Sequence, residues 1–101
     1  MYTLTLLEEA GKEFAEAAQW YEEKSKGLSD RFIDTIQKKL QLIQQFPERY
    51  PKRRKIFRET VVKTFPFIII YFFDKKEGEI IVTTIFHASR NPSKKYRNPR
   101  F

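Results

Sequence analysis

The stretch FPFIIIYFF, Phe65 to Phe73, decides the fold. It is far shorter than the roughly 20 apolar residues a membrane-spanning helix needs, and its β-branched and aromatic content reads as a strand. Alternate residues of a strand point to opposite faces. One set is Phe65, Phe67, Ile69, Tyr71 and Phe73; the other is Pro66, Ile68, Ile70 and Phe72. Both sets are apolar, as in a strand covered on both sides.

The neighbouring segments extend the sheet. DKKEGE, Asp74 to Glu79, carries Gly78 and predicts a hairpin turn into a second strand, Glu79 to Phe86. Upstream, Ile56 to Val62 predicts a third. FPERYPKRRK, Phe46 to Lys55, has prolines at 47 and 51 and reads as a turn-rich basic connection.

Before it lie two helical patterns. From Glu8, Phe14, Ala17, Ala18 and Tyr21 recur at three- and four-residue spacing, and Gly27 offers a left-handed end. In the second pattern Phe32, Ile36, Leu40 and Ile43 are in phase, ending near Gln45 because Pro47 cannot continue a helix. Alanines at 10, 15, 17 and 18 let the two arms approach. Met1 to Leu7 alternates Tyr and Leu with Thr and reads as a short strand.

The order is β-α-α-β-β-β, an α+β fold: an N-terminal strand, an antiparallel helical hairpin, then a three-stranded antiparallel sheet. All 101 residues are expected to form a single domain. Two helices cover only one face of a mostly antiparallel sheet. The other face needs the C-terminal tail, a second copy or a different protein, and exposed apolar surface of that size marks an interaction site.

The net charge of +7 is unevenly spread. Residues 1–50 hold 7 basic and 9 acidic side chains, and 51–101 hold 13 and 4, giving −2 and +9. The second half is therefore expected to face an anionic partner, nucleic acid or acidic protein. With no cysteine and one histidine, neither a thiolate nor a metal cluster is expected, and no cofactor. Gly-rich phosphate loops are absent. MYTLTLLEEA lacks the layout of a secretory signal, so a soluble cytoplasmic protein without membrane contact is expected.

Metal-free RNA cleavage needs a proton acceptor, a proton donor and cations beside the phosphate. His87 could serve as base or acid and an arginine could grip phosphate. His87, Arg90, Arg58, Tyr96 and Lys63 could form such a set if the strand ends converge. The alternative is structural: His87 hydrogen-bonding backbone at a strand end, and Arg90 pairing with a carboxylate or a carbonyl. KRRK, Lys52 to Lys55, reads as a solvated basic loop with the capacity to bind phosphate. Trp20 and Tyr21 read as helix packing rather than base stacking.

Five pieces carry a family resemblance. They are AAQWYE at Ala17 to Glu22, GLSDRF at Gly27 to Phe32, FPERYP at Phe46 to Pro51, FPFIIIY at Phe65 to Tyr71 and IFHASRNP at Ile85 to Pro92. In this order and spacing the sequence resembles the RelE/ParE superfamily of type II toxin–antitoxin toxins over nearly its whole length. The resemblance implies a toxin neutralised by a cognate antitoxin whose acidic segment wraps the toxin. RelE-like members cut mRNA on the ribosome; ParE-like members inhibit DNA gyrase.

The aliphatic Phe67–Ile70 stretch departs from the RelE-like pattern, which places a basic residue there, and looks more ParE-like. Gyrase inhibition is the expected activity, with ribosome-dependent mRNA cleavage through His87, Arg90, Arg58 and Tyr96 as the alternative. Antitoxin or target contact is expected at Arg53, Arg54, Phe67, Ile69 and Tyr71, and in the tail at Lys94, Lys95 and Arg97. Little direct DNA binding by the chain alone is expected.

Overall fold

The computed structural model describes residues 2–89. Strand β1 (Thr3–Leu6) leads into helices α1 (Glu8–Lys24) and α2 (Leu28–Gln45), followed by β2 (Lys52–Arg54), β3 (Phe57–Val62), β4 (Phe67–Asp74) and β5 (Glu79–His87). The strands form one five-stranded sheet in the order β1-β5-β4-β3-β2. The α+β class holds, with two differences from the sequence reading. The sheet is mixed, because β1 runs parallel to β5 with Thr3 opposite Glu79 and Leu6 opposite Val82. The basic connection also contributes a three-residue edge strand, β2, which KRR does not announce because lysine and arginine carry no strand period.

Both helices form for the reasons their patterns give. Glu8 and Glu9 occupy the first turn of α1, where the helix dipole favours negative charge. Gly27 adopts φ +87°, a left-handed conformation that costs glycine nothing, and it sits between the C-cap Ser25 and the start of α2. The Glu22 carboxylate braces this corner, accepting the N–H groups of Gly27 and Ser29 and the Ser29 hydroxyl at 2.8 Å. α2 buries Phe32, Ile36, Leu40 and Ile43, the four residues its period selects.

Both helices lie on one face of the sheet. Phe32 is the hub there, its ring meeting those of Phe14, Tyr21, Phe65 and Phe67 at centroid distances of 4.9–5.7 Å. The opposite face holds a smaller cluster of Phe57, Ile70, Phe72, Ile81 and Phe86, flanked by Leu7 and Ile68, with no helical residue of the described chain in it. β4 is thus apolar on both faces, as its alternation requires. Among the described residues no helix is long and apolar enough to cross a membrane.

Candidate functional site

β1 covers only the first part of β5: Leu6 pairs with Val82, Leu7 donates its N–H to Val82 O at 3.0 Å, and the chain then turns into α1. Beyond that point α1 supplies a substitute. Glu13 accepts the Thr84 hydroxyl at 2.7 and 3.0 Å and the Ile85 N–H at 3.1 Å, satisfying a strand donor that would otherwise lose its partner. No local signal marks Glu13 for this task, since its partners lie 71 and 72 residues away.

His87 ends β5. Its Nδ1 accepts the Ser89 N–H at 3.1 Å and lies 2.8 Å from the Ser89 hydroxyl. A nitrogen that accepts an N–H carries no proton, so the ring proton of the neutral imidazole sits on Nε2. The ring meets the Phe67 ring edge-on at 5.4 Å. The His87 ring is therefore held at the strand end by the backbone of Ser89, with Nε2 as its remaining polar atom.

Arg58 is engaged elsewhere. Its guanidinium donates to the carbonyls of Tyr50 at 2.7 Å and Glu48 at 3.3 Å. Tyr71 donates its hydroxyl to Pro47 O at 2.6 Å, and Glu59 N–H reaches Pro51 O at 3.2 Å. These bonds pin the 47–51 segment to the sheet. Burial pushes the Tyr71 phenol well above its ordinary value, against the smaller opposing influence of the Arg58 charge.

The register separates the expected catalytic residues. Arg58 pairs with Tyr71 and His87 with Phe67, four residues apart on β4 and on opposite sides of it. At about 3.3 Å per residue and 4.8 Å per strand, that is roughly 13 Å along the sheet and 10 Å across. The two side chains do not meet at one phosphate. Val62 pairs with Phe67, so Lys63 follows at the same end as His87. Arg90, Tyr96, Lys94, Lys95 and Arg97 lie outside the described residues.

Three further expectations change. Phe67, Ile69 and Tyr71, expected to meet a partner, are 5%, 0% and 0% exposed beneath the helices and offer it no surface. The strand alternation was right, but it could not say which set faced the helices. Trp20, expected to pack, is 53% exposed with Lys24 Nζ 5.0 Å from its ring centre, whereas Tyr21 does pack, against Phe32 and Phe65. Arg53 and Arg54 are exposed and belong to a β-hairpin, not a loop. Among the described residues no three His, Asp or Glu side chains group into a metal site.

Comparison with known proteins agrees with this architecture. The isolated E. coli RelE toxin aligns with a TM-score of 0.64 at 18% identity, covering 94% of this chain and 93% of that one. RelE in the intact E. coli RelBE toxin–antitoxin complex aligns with a TM-score of 0.65 at 18% identity, covering 89% and 100%. At that identity the likeness establishes the fold. Among curated proteins no sequence matches. The family model described as the ParE toxin of the type II toxin–antitoxin system parDE matches residues 4–92, from β1 through the end of β5, and the chain accordingly belongs to the ParE toxin family.

Proposed function

We propose that this toxin acts on DNA gyrase by protein contact and is neutralised by a cognate antitoxin with an acidic segment. The observation that carries this reading is the separation of Arg58 from His87 together with the tethering of Arg58 to the Tyr50 and Glu48 carbonyls. A nuclease needs cation and acid–base group at one phosphate. The aliphatic centre of β4 and the ParE family match support the same direction. The surplus of positive charge after residue 50 suits an acidic antitoxin segment, and an antitoxin partner is in keeping with the toxin–antitoxin complex, RelBE, whose chain shares the fold.

The test pairs two assays on purified toxin. Inhibited supercoiling with trapped, cleaved DNA–gyrase complexes, alongside normal translation, is the expected result. Untouched supercoiling with codon-positioned mRNA cuts would replace this reading with ribosome-dependent cleavage. His87 is the observation that favours the second reading, because its ring is held at the strand end through Nδ1 and Lys63 lies at the same end of the sheet. His87→Ala is expected to leave gyrase inhibition intact; loss of toxicity in that folded variant would favour the nuclease.

A further inference from the structure

The segment Lys52 to Lys55 carries four cations in succession. In the structure it is one arm and the tip of a β-hairpin. Lys52 pairs with Arg58 and Arg54 with Phe57, with a register shift between them, and Lys55 and Ile56 make the turn. Every residue from Pro51 to Ile56 is exposed, whereas Phe57 is buried. The base of the hairpin is fixed by the bonds from Arg58 to Tyr50 and Glu48, from Tyr71 to Pro47 and from Glu59 to Pro51. At the tip Lys55 is the one described non-glycine residue with positive φ, at +51°.

A lysine held in the left-handed region is strained, and such strain persists where the surrounding structure imposes it, often at functional sites. Here it aims a row of cations outward from an anchored base. The candidate catalytic residue Arg58 becomes a positioning residue for that row.

From these features we infer that the Lys52–Lys55 hairpin binds the phosphate backbone of duplex DNA. A two-stranded ribbon fits the major groove, whose two walls are phosphate strands. Single-stranded nucleic acid is gripped by aromatic stacking as well as charge, and the only ring in the hairpin, Phe57, is buried. The contact has no stacking platform and is made to phosphates, which carry no base information, so it is weak, sequence-independent and salt-dependent. It rests on the gyrase reading for its setting: the hairpin would touch the DNA that the enzyme holds.

The experiment uses the full chain and a labelled duplex, without gyrase, titrated across salt concentrations. Each phosphate contact contributes about 0.9 to the slope of log affinity against log salt, so Arg53→Ala with Lys55→Ala should lower that slope by about 2. The matched control, Lys12→Ala with Lys38→Ala, removes two exposed helix cations that pair locally with Glu8 and Asp34 and should change nothing. Both pairs are exposed, and circular dichroism confirms that each variant is folded.

An unchanged slope in the hairpin variant, or an equal fall in the control, overturns the inference. So does tighter binding of single-stranded RNA of the same length, or of polyglutamate, which would assign the hairpin to RNA or to an acidic protein. A parallel supercoiling assay reports on gyrase separately: wild-type toxin that binds duplex through the hairpin yet leaves gyrase untouched would sink the target and keep the hairpin site.

Discussion

The two faces of β4 look interchangeable in sequence and are built differently in space. Toward the helices, Phe67, Ile69 and Tyr71 join a cluster of thirteen buried residues, with Phe32 at its centre. Away from the helices, Ile70 and Phe72 join five, with no helical member among the described residues. Alternation makes both faces apolar, but only the first is sealed by a covalently attached helical hairpin. Stability should therefore be concentrated on one face, and substitutions can break or sharpen that contrast.

The largest effect is expected from Phe32→Ala. Phe32 is 0% exposed and touches four other rings, so its removal should cost about 4 kcal/mol, as large aromatic truncations in cores do. Phe57→Ala, in the smaller cluster with its ring 6.0 Å from that of Phe72, should cost about 3 kcal/mol. Urea unfolding measures both. Equal losses would mean that the two faces share the load after all.

Next comes Glu13→Ala, expected to cost about 2 kcal/mol by orphaning the Ile85 N–H and the Thr84 hydroxyl. Glu13→Gln keeps an acceptor oxygen and should lose less. Hydrogen exchange at Ile85 should accelerate in the alanine variant while Ile69, in mid-sheet, stays protected. Acceleration at both would show that α1 stabilises the sheet as a whole and not one stretch of β5.

Tyr71→Phe should cost about 1 kcal/mol through the lost bond to Pro47 O. It also carries a pH signature. Burial raises the phenol in the folded state, so its contribution is complete below the ordinary value of 10.0 and is lost as pH rises above that value. The variant should therefore unfold less steeply with alkali than the parent. An unchanged alkaline limb would place that sensitivity elsewhere.

The smallest effect is at the interhelical corner. Glu22 is held below its ordinary value of 4.5, first by the Ser29 hydroxyl and then by the N–H groups of Gly27 and Ser29. A lowered folded-state value stabilises above 4.5 and is lost as pH falls through it. Glu22→Gln should flatten the acid side of the melting-temperature profile slightly. A larger change than that of Glu13→Ala would overturn the ranking, since this corner is exposed.

Much of the architecture was legible locally. The phases of Phe32, Ile36, Leu40 and Ile43, the left-handed Gly27 and the Gly78 turn all appear where the pattern puts them, because each depends on neighbours within a few residues. The candidate site was less legible. Arg58 was a plausible phosphate ligand by type, and nothing in the sequence said that carbonyls eight and ten residues away would take its donors. Trp20 sits on a helix beside a packing tyrosine, and a helical period alone does not fix the width of the buried stripe. β2 formed because its partner β3 offered an edge, not because KRR favours a strand.

The sequence by itself determined the two helices, the doubly apolar central strand and the charge asymmetry, and its motifs carried the superfamily likeness. The first three are properties of composition and short-range periodicity, which physical chemistry reads directly; the likeness rests on the order and spacing of the motifs. Only the tertiary structure decided which face of β4 meets the helices, that β1 closes the sheet in parallel, that Glu13 stands in for a missing strand neighbour and that Arg58 anchors a basic hairpin. Each of those depends on which distant groups are brought together, and a backbone donor or a guanidinium takes the acceptor that the fold places beside it.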